Sequence, residues 1–485
     1  MKRLICSITL MSVICLNLII SGCTNKVTLE KQEEDSSTEI KEIDQSNEGS
    51  STSNTPVKKT DLSPFFEEVK GLSGQDALSY FESLPSKGLS ESDILEFFIN
   101  IPLSNANNEI AELFKREKFE SYMNSYPTGD PYDNYKWENG AGSEVKGSFS
   151  DLNIKLPFAN YVSLNEGPVG DKDKVYRIGV AIHGFDQPWN VGLADSAQWE
   201  ADRHSNVELD VKDAQWDNDS MADIIDSFVL QKVDGILTWP MVESETTIAP
   251  VERALEAGIP VVSVDRMTGL EATTSRVTGN FPANGAQAGM YLVWKLAQES
   301  ELKANVLLLR KPLGSTADAN RTGHFLKVLS YFPDIKILKS YHDHDNTAEA
   351  LANMQLALNE FSKIDVVFGT GDHETIAAYD AANEKNRLNS RDDGKKMIFL
   401  SIDDSKTAIN NVKEGKFEVN TPYTPFIADI GMRTLMKIIT KDGDIPHNII
   451  TPNIPMVTKD GETIFGIKTQ TPDQWYDYTF GAPVK

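Results

Sequence analysis

The segment His183-Gly184-Phe185-Asp186-Gln187-Pro188-Trp189 sets an imidazole, a carboxylate, a carboxamide and two aromatic rings directly after an apolar run. The same juxtaposition recurs along the chain. Asp265-Arg266 follows Pro260–Val264, Arg321-Thr322-Gly323-His324-Phe325 lies beyond Asn305–Leu309, Gly371-Asp372 follows Val366–Phe368, and Asp403-Asp404 closes Met397–Ile402. Carboxylates and guanidinium groups make charge-assisted hydrogen bonds, and an aromatic ring covers an apolar face. Such groups hold a molecule, whereas the motifs for transforming one fail singly. His342-Asp343-His344-Asp345 offers donors that zinc or copper accept. The run follows a strand, however, and Asn346 with Glu349 reads as a capping arrangement for the next helix. His373-Glu374-Thr375-Ile376-Ala377 begins like the zinc-protease signature but carries Ala377 where the second histidine must stand. No Gly-x-Gly-x-x-Gly follows the first strand, and neither a phosphate loop nor a Gly-x-Ser-x-Gly elbow occurs. We therefore expect no enzyme, no metal and no cofactor.

The elements that must position these residues alternate. Strands are expected at Tyr176–Ile182, Val207–Asp213, Gly235–Thr238 and Pro260–Val264, with helices at Asn190–Arg203, Met221–Lys232 and Ile248–Glu256 between them. Further strands at Asn305–Leu309, Lys336–Ser340, Val366–Phe368 and Met397–Ile402 alternate with helices near Asp318–Tyr331, Thr347–Phe361, His373–Glu384 and Ser405–Glu414. Repeated βα units build parallel sheets covered on both faces, so the expected fold is α/β with two doubly wound lobes. Ligands of such sheets sit outside the carboxyl ends of the strands, where the polar and aromatic clusters fall. Residues 63–168 carry pairs such as Phe65-Phe66, Phe97-Phe98 and Phe114/Phe119 at helical spacing. A small, mostly helical region is predicted there, with Ser73, Ser90 and Asn105 as N-caps and the run Tyr126–Gly142 breaking the pattern. It reads either as a spacer packed on the main domain or as a docking module for a membrane partner.

Of the 485 residues, 47 are Lys or Arg and 72 are Asp or Glu, a net charge of −25 that excludes a typical nucleic-acid binder. The three cysteines, Cys6, Cys15 and Cys23, all lie near the N-terminus, so the rest of the chain has no thiol for a disulfide, a zinc site or a nucleophile. Residues 1–22 have the parts of a secretory signal: Lys2-Arg3, an apolar run from Leu4 to Ile20, then Ser21-Gly22 before Cys23. This ending resembles a bacterial lipobox, in which Cys23 receives a diacylglyceryl group; a plain secretory signal or a retained membrane anchor is the other reading. Residues 23–62 are acidic and Ser-rich, too poor in large apolar side chains to fold, and read as a tether. The two-lobed domain is expected over residues 174–470, with 471–485 as a C-terminal tail.

Together with Val233-Asp234-Gly235-Ile236 and Ala257-Gly258-Ile259-Pro260-Val261-Val262, these segments resemble the type 1 periplasmic sugar-binding proteins, the ribose- and galactose-binding relatives of bacterial ABC importers. The resemblance runs from about Tyr176 to Thr451. A sugar presents hydroxyls that donate and accept, plus an apolar ring face. The resemblance implies that Trp189 stacks on that face and that His183 and Gln187 line the first-lobe wall. It implies also that Asp265 and Arg266 grip adjacent hydroxyls and that Arg321 and Asp403 close from the second lobe. Trp239 and Tyr423 are weaker candidates. Each has a structural alternative: Trp189 as a core plug, Asp265–Arg266 as a mutual ion pair, Arg321 as a solvated helix residue, Asp403 as a helix N-cap. The resemblance also implies that His344 or Asp345 borders the pocket, where relatives often carry an aromatic residue. Gly371 replaces a family asparagine, and Asn280-Phe281 stands where Asp-Asn is common.

The implied function is an extracytoplasmic lipoprotein that delivers a monosaccharide-like solute or polyol to an ABC permease, or alternatively a receptor that signals to a membrane histidine kinase or chemoreceptor. A monomer is expected, lipid-anchored on the outer face of a bacterial membrane, Gram-positive rather than periplasmic. Transcription repressors share the fold but need a basic helix-turn-helix where this chain is acidic. A hydrolase is disfavoured because Asp403 and Asp404 are adjacent and cannot flank one glycosidic bond.

Overall fold

The computed structural model describes residues 60–124, 126, 143–150, 152–239, 245–266, 273–391 and 394–481. The signal sequence, Cys23 and nearly all of the tether lie outside the described residues, as does 127–142 of the aromatic run.

Five short helices come first: α1 (Ser63–Val69), α2 (Gly74–Ser83), α3 (Glu91–Asn100), α4 (Asn108–Arg116) and α5 (Phe119–Asn124). Ser90 and Asp93 cap α3 reciprocally. Asn107, not Asn105, caps α4, because its carboxamide serves two purposes: Oδ1 accepts from Ile110 N while Nδ2 donates to Ile335 O at 2.5 Å and Phe332 O at 3.3 Å. The region is not helical to its end. A hairpin of β1 (Ser143–Lys146) and β2 (Asn153–Leu156) follows.

Two sheets then form. The strands β3 (Tyr176–Ile182), β4 (Val207–Asp213), β5 (Gly235–Trp239), β6 (Val261–Val264) and β7 (Ser275–Thr278) build the first with helices α6 (Pro188–Asp202), α7 (Asn218–Gln231) and α8 (Glu245–Glu256) between them. A long helix α9 (Phe281–Gln298), which apolar periodicity alone did not single out, crosses to the second lobe. There β8 (Ala304–Arg310), β9 (Ile335–His342), β10 (Val366–Gly369), β11 (Ile398–Ile402) and β12 (Val419–Thr421) alternate with α10 (Thr316–Leu329), α11 (Thr347–Glu360), α12 (Asp372–Glu384) and α13 (Lys406–Lys413). The chain returns through α14 (Ala428–Thr440) to β13 (Asn448–Ile450) in the first sheet and crosses once more to β14 (Val457–Thr458) in the second. Sheet orders are β13-β7-β6-β5-β3-β4 and β14-β12-β11-β10-β8-β9, parallel except for β12 with β14. Central strands β5, β6, β10 and β11 are buried at every residue, the pattern of a parallel sheet covered on both faces.

The three crossovers lie side by side at the hinge: Asn284 Nδ2 donates to Pro422 O at 2.9 Å and Gln287 Nε2 to Ile454 O at 3.3 Å. Helices α9 and α10 approach so closely that a Cβ at Gly285 would sit 2.0 Å from Arg321 O. The N-terminal region divides between the lobes. Its helices pack on the second, where Phe81 meets the rings of Tyr331 and Phe332, Lys327 Nζ donates to Ile99 O at 3.0 Å, and Glu117 pairs with Arg310. The hairpin and the turn after it pack on the first. Asp195 accepts from Phe149 N and Ser150 Oγ, each at 2.6 Å, while fully buried Arg433 donates to the carbonyls of Phe158 and Tyr161 and pairs with Glu200 and Asp429. The segment after 470, expected as a tail, instead contributes a short helix Pro472–Trp475, with Trp475 buried and its Nε1 donating to Asp404 at 3.0 Å. Apolar residues at the end of the chain gain more from that burial than from solvent.

Candidate ligand-binding cleft

Between the carboxyl ends of the two sheets lies a cavity of about 370 Å³, within the range of small-molecule sites. His183, Gln187, Trp189, Asp265 and Arg266 line it from the first lobe, Arg321 and Asp403 from the second, and Tyr423 from a crossover. Trp239 does not line it. Its indole is fully buried behind the wall at the end of β5, and only its carbonyl serves the site, by fixing His183 Nδ1 at 2.8 Å. The sequence placed Trp239 after a strand, but an inward-facing residue at a strand end joins the core rather than the cleft.

Asp265 and Asp403 occupy equivalent places, each directly after a fully buried strand and each in the left-handed region, with φ of 67° and 76°. Non-glycine residues seldom hold that conformation without surrounding support. Here Asp265 Oδ1 accepts from Tyr423 Oη at 2.7 Å, and Asp403 Oδ1 accepts from Arg321 at 2.7 Å. Asp403 is therefore no N-cap; Ser405 caps α13. Arg321 is 1% exposed, so the solvated alternative fails as well. Its guanidinium also donates to Thr370 O at 2.7 Å and lies 4.8 Å from the Tyr423 ring. Trp189 is half-buried and stacks on Tyr423 at 5.9 Å and 15°. Asp265 and Arg266 do approach each other, at 3.7 Å, but the tight partner of Arg266 is Asp345 of the second lobe at 2.8 Å.

Asp345, Lys311, Asp372 and His373 also line the cavity; Asp345 was expected at its border and Asp372 among the strand-end clusters, whereas Lys311 and His373 were not expected there. Lys311 also stands just past a strand, where the carboxyl-end rule could have found it. Asp345 lay in the run weighed as a metal site. Lys311 Nζ pairs with Asp345 at 3.1 Å and approaches Asp403 at 3.8 Å. It explains Gly371: a Cβ there would lie 2.7 Å from Lys311 Nζ, so the missing side chain makes room for the ammonium group. Asn280 is a helix cap, with Oδ1 accepting from Ala283 N at 2.9 Å. Asp343, Asp345 and His373 gather donor atoms within 4.8 Å, yet both oxygens of Asp345 already face cations, which oppose a metal ion electrostatically.

Electrostatics separate these groups. Burial, aided by Arg266, pushes the His183 pKa down to about 4, so the imidazole is neutral. Burial alone would lower Lys311 and raise Asp345, but their attraction to neighbouring opposite charges outweighs it; Lys311 stays protonated and Asp345 well below the carboxylate range. Asp372 is pushed up to about 7 by burial and by Asp403, although Ser401, Ser405 and Asn420 all donate to it.

A family model, the periplasmic binding protein domain, matches residues 178–443, more than half of the chain. The xylitol-binding protein of Mycolicibacterium smegmatis is 29% identical over 242 residues, covering 50% of this chain and 65% of that protein. The ribose import binding protein of Bacillus subtilis is 25% identical over 252 residues, 52% of this chain and 77% of its own. Among solved structures, the arabinose-binding component from Shewanella sp. ANA-3, bound to L-arabinofuranose, superposes with a TM-score of 0.53 at 21% identity, over 59% of this chain and 92% of that one. That last likeness shows the fold, two lobes about one cleft, while the sequence model shows descent: the chain belongs to the periplasmic binding protein domain family.

Proposed function

We propose that this protein is an extracytoplasmic solute-binding lipoprotein that captures a neutral monosaccharide or polyol between its lobes and delivers it to an ABC importer. One observation carries the reading: Arg266, Lys311 and Arg321 face Asp265, Asp345 and Asp403 around the cavity, three cations against three carboxylates, while buried Asp372 is pushed up to about 7 and Asp186 is exposed to solvent. A ligand with net charge would leave one of these buried groups unmatched, at the cost of desolvation. A hydroxylated neutral ligand both donates and accepts, and the Trp189 ring suits its apolar face. The names of the relatives, xylitol-binding and ribose import binding, point to the same class. The function is binding, with no chemical step.

Lipidation at Cys23, a tether over 23–62 and a monomer on the outer face of a Gram-positive membrane complete the proposal. No helix among the described residues is long and apolar enough to cross a membrane, and two acyl chains would hold the protein where one would not. Calorimetric titration with pentoses, hexoses and polyols tests the ligand class; if none binds below millimolar, the assignment is wrong. Cys23→Ala should release the protein or leave an unprocessed precursor, and unchanged membrane retention with unchanged processing would remove the anchor.

A further inference from the structure

Outside the stretch that matches the family, Tyr126 packs against the crossover behind the cleft. Tyr126 is 5% exposed, and its hydroxyl donates to Gly279 O at the crossover between β7 and α9. That carbonyl also accepts from Thr278 Oγ1 at 3.3 Å. The N–H of the same glycine donates to Tyr423 Oη at 3.3 Å, so the residue is held from both sides. It has no space for a side chain: a Cβ would lie 2.2 Å from the Tyr423 ring.

The rings continue the contact. Tyr126 packs 5.8 Å from Phe281, Phe281 stacks on Tyr423 at 4.7 Å, and Tyr423 stacks on Trp189 at 5.9 Å. Tyr423 in turn holds Asp265. A ladder of four aromatic residues thus runs from the N-terminal region through the hinge to the first-lobe wall. The helices that precede Tyr126 are fastened to the second lobe through Asn107, Ile99 and Glu117.

The geometry points to Tyr126 as a positioning residue of the cleft: by fixing the Gly279 carbonyl and the Phe281 ring it sets Tyr423, and through it Asp265 and Trp189, and so tunes ligand affinity from outside the two-lobed domain. This rests on the cleft being a sugar or polyol site. The test uses the full mature chain with Tyr126→Phe, which removes the hydrogen bond alone, and Tyr126→Ala, which removes the ring. Amide hydrogen exchange is followed without ligand over 278–284 and 419–424, and xylitol and D-ribose are titrated by calorimetry. Tyr126→Phe should speed exchange in both segments, leave α1 to α4 as in wild type, and weaken binding of whichever probe the wild type takes by about threefold to tenfold, the worth of one hydrogen bond.

Tyr126→Ala should do more in both readouts; if it does not fold, Tyr126→Phe decides. Unchanged affinity, with or without faster exchange, overturns the proposal, as does acceleration spread over α1 to α4, which would mark loosened packing. A wild type that binds neither probe counts against the reading of the cleft instead, and exchange confined to the crossover then still decides whether Tyr126 fixes Gly279.

Discussion

The two walls of the cleft come from sheets of the same plan, yet they solve burial of charge differently. The second-lobe wall pairs its charges within itself, Arg321 with Asp403 and Lys311 with Asp345. The first-lobe wall sets Asp265 among uncharged His183, Trp189 and Gln187, and its Arg266 makes a 2.8 Å pair across the gap, with Asp345. A wall whose ion pairs are internal keeps its shape when water enters. A wall that borrows its partner changes its electrostatics each time the lobes part. Placement at strand ends thus follows from topology, whereas self-sufficiency depends on which strand ends carry acids.

The largest effect should come from breaking the self-contained wall. Arg321→Ala leaves Asp403 buried beside Lys311 alone and exposes no new donor to the ligand; truncating such a pair costs roughly 2–5 kcal/mol, so the dissociation constant should rise at least about tenfold by calorimetry. Wild-type affinity in that variant would detach the second wall from binding. In the first-lobe wall, Trp189→Ala removes a stacking surface worth about 0.5–1.5 kcal/mol beyond its buried area, so a weakening of several-fold is expected, smaller than for Arg321→Ala. An equal or larger loss would reverse the ranking of the walls. The same variant should lose most of any ligand-induced change in tryptophan fluorescence.

The smallest effect is on stability against pH. Asp372 rises from an ordinary 3.8 to about 7 in the fold, so the folded state holds a proton that the unfolded chain has released. Its contribution is complete below the lower value and is lost as pH climbs through the upper one. Melting temperature should therefore fall from pH 4 toward pH 7, and Asp372→Asn should flatten that slope relative to wild type. An unchanged slope would mean that Asp372 is not the group that holds the proton over this range.

Much of this was legible in the sequence, for identifiable reasons. Tyr176–Ile182 and Val207–Asp213 gave strands with the observed ends, the first as a mostly apolar run bounded by polar residues and the second as an alternation of Val, Leu and Val with charged residues. Helix α9 was not singled out because it is buried almost all round, including Asn284 and Gln287, and so lacks the amphipathic period. In the cleft, aromatic and guanidinium residues at strand ends were visible. Lys311 was not, and Asp345 was legible only as a residue at the border, because the role of each as a charge partner depends on groups distant in sequence. The split of the N-terminal region between lobes was equally hidden: Asp195 and Arg433, which hold the hairpin side, are ordinary helix residues until the fold brings them together.

In the proposed delivery role, the bridge between Arg266 and Asp345 bears on the timing of capture and release as well as on their strength. An occupant bound by a shape present at fraction f shows its intrinsic affinity multiplied by f, so a contact that favours the shut form raises capture before any solute arrives. The same contact must be undone when the cargo leaves. Residence time and loading efficiency would thus be linked through this bridge together with the hydrogen bond that Gln187 donates to the Asp345 carbonyl beside it.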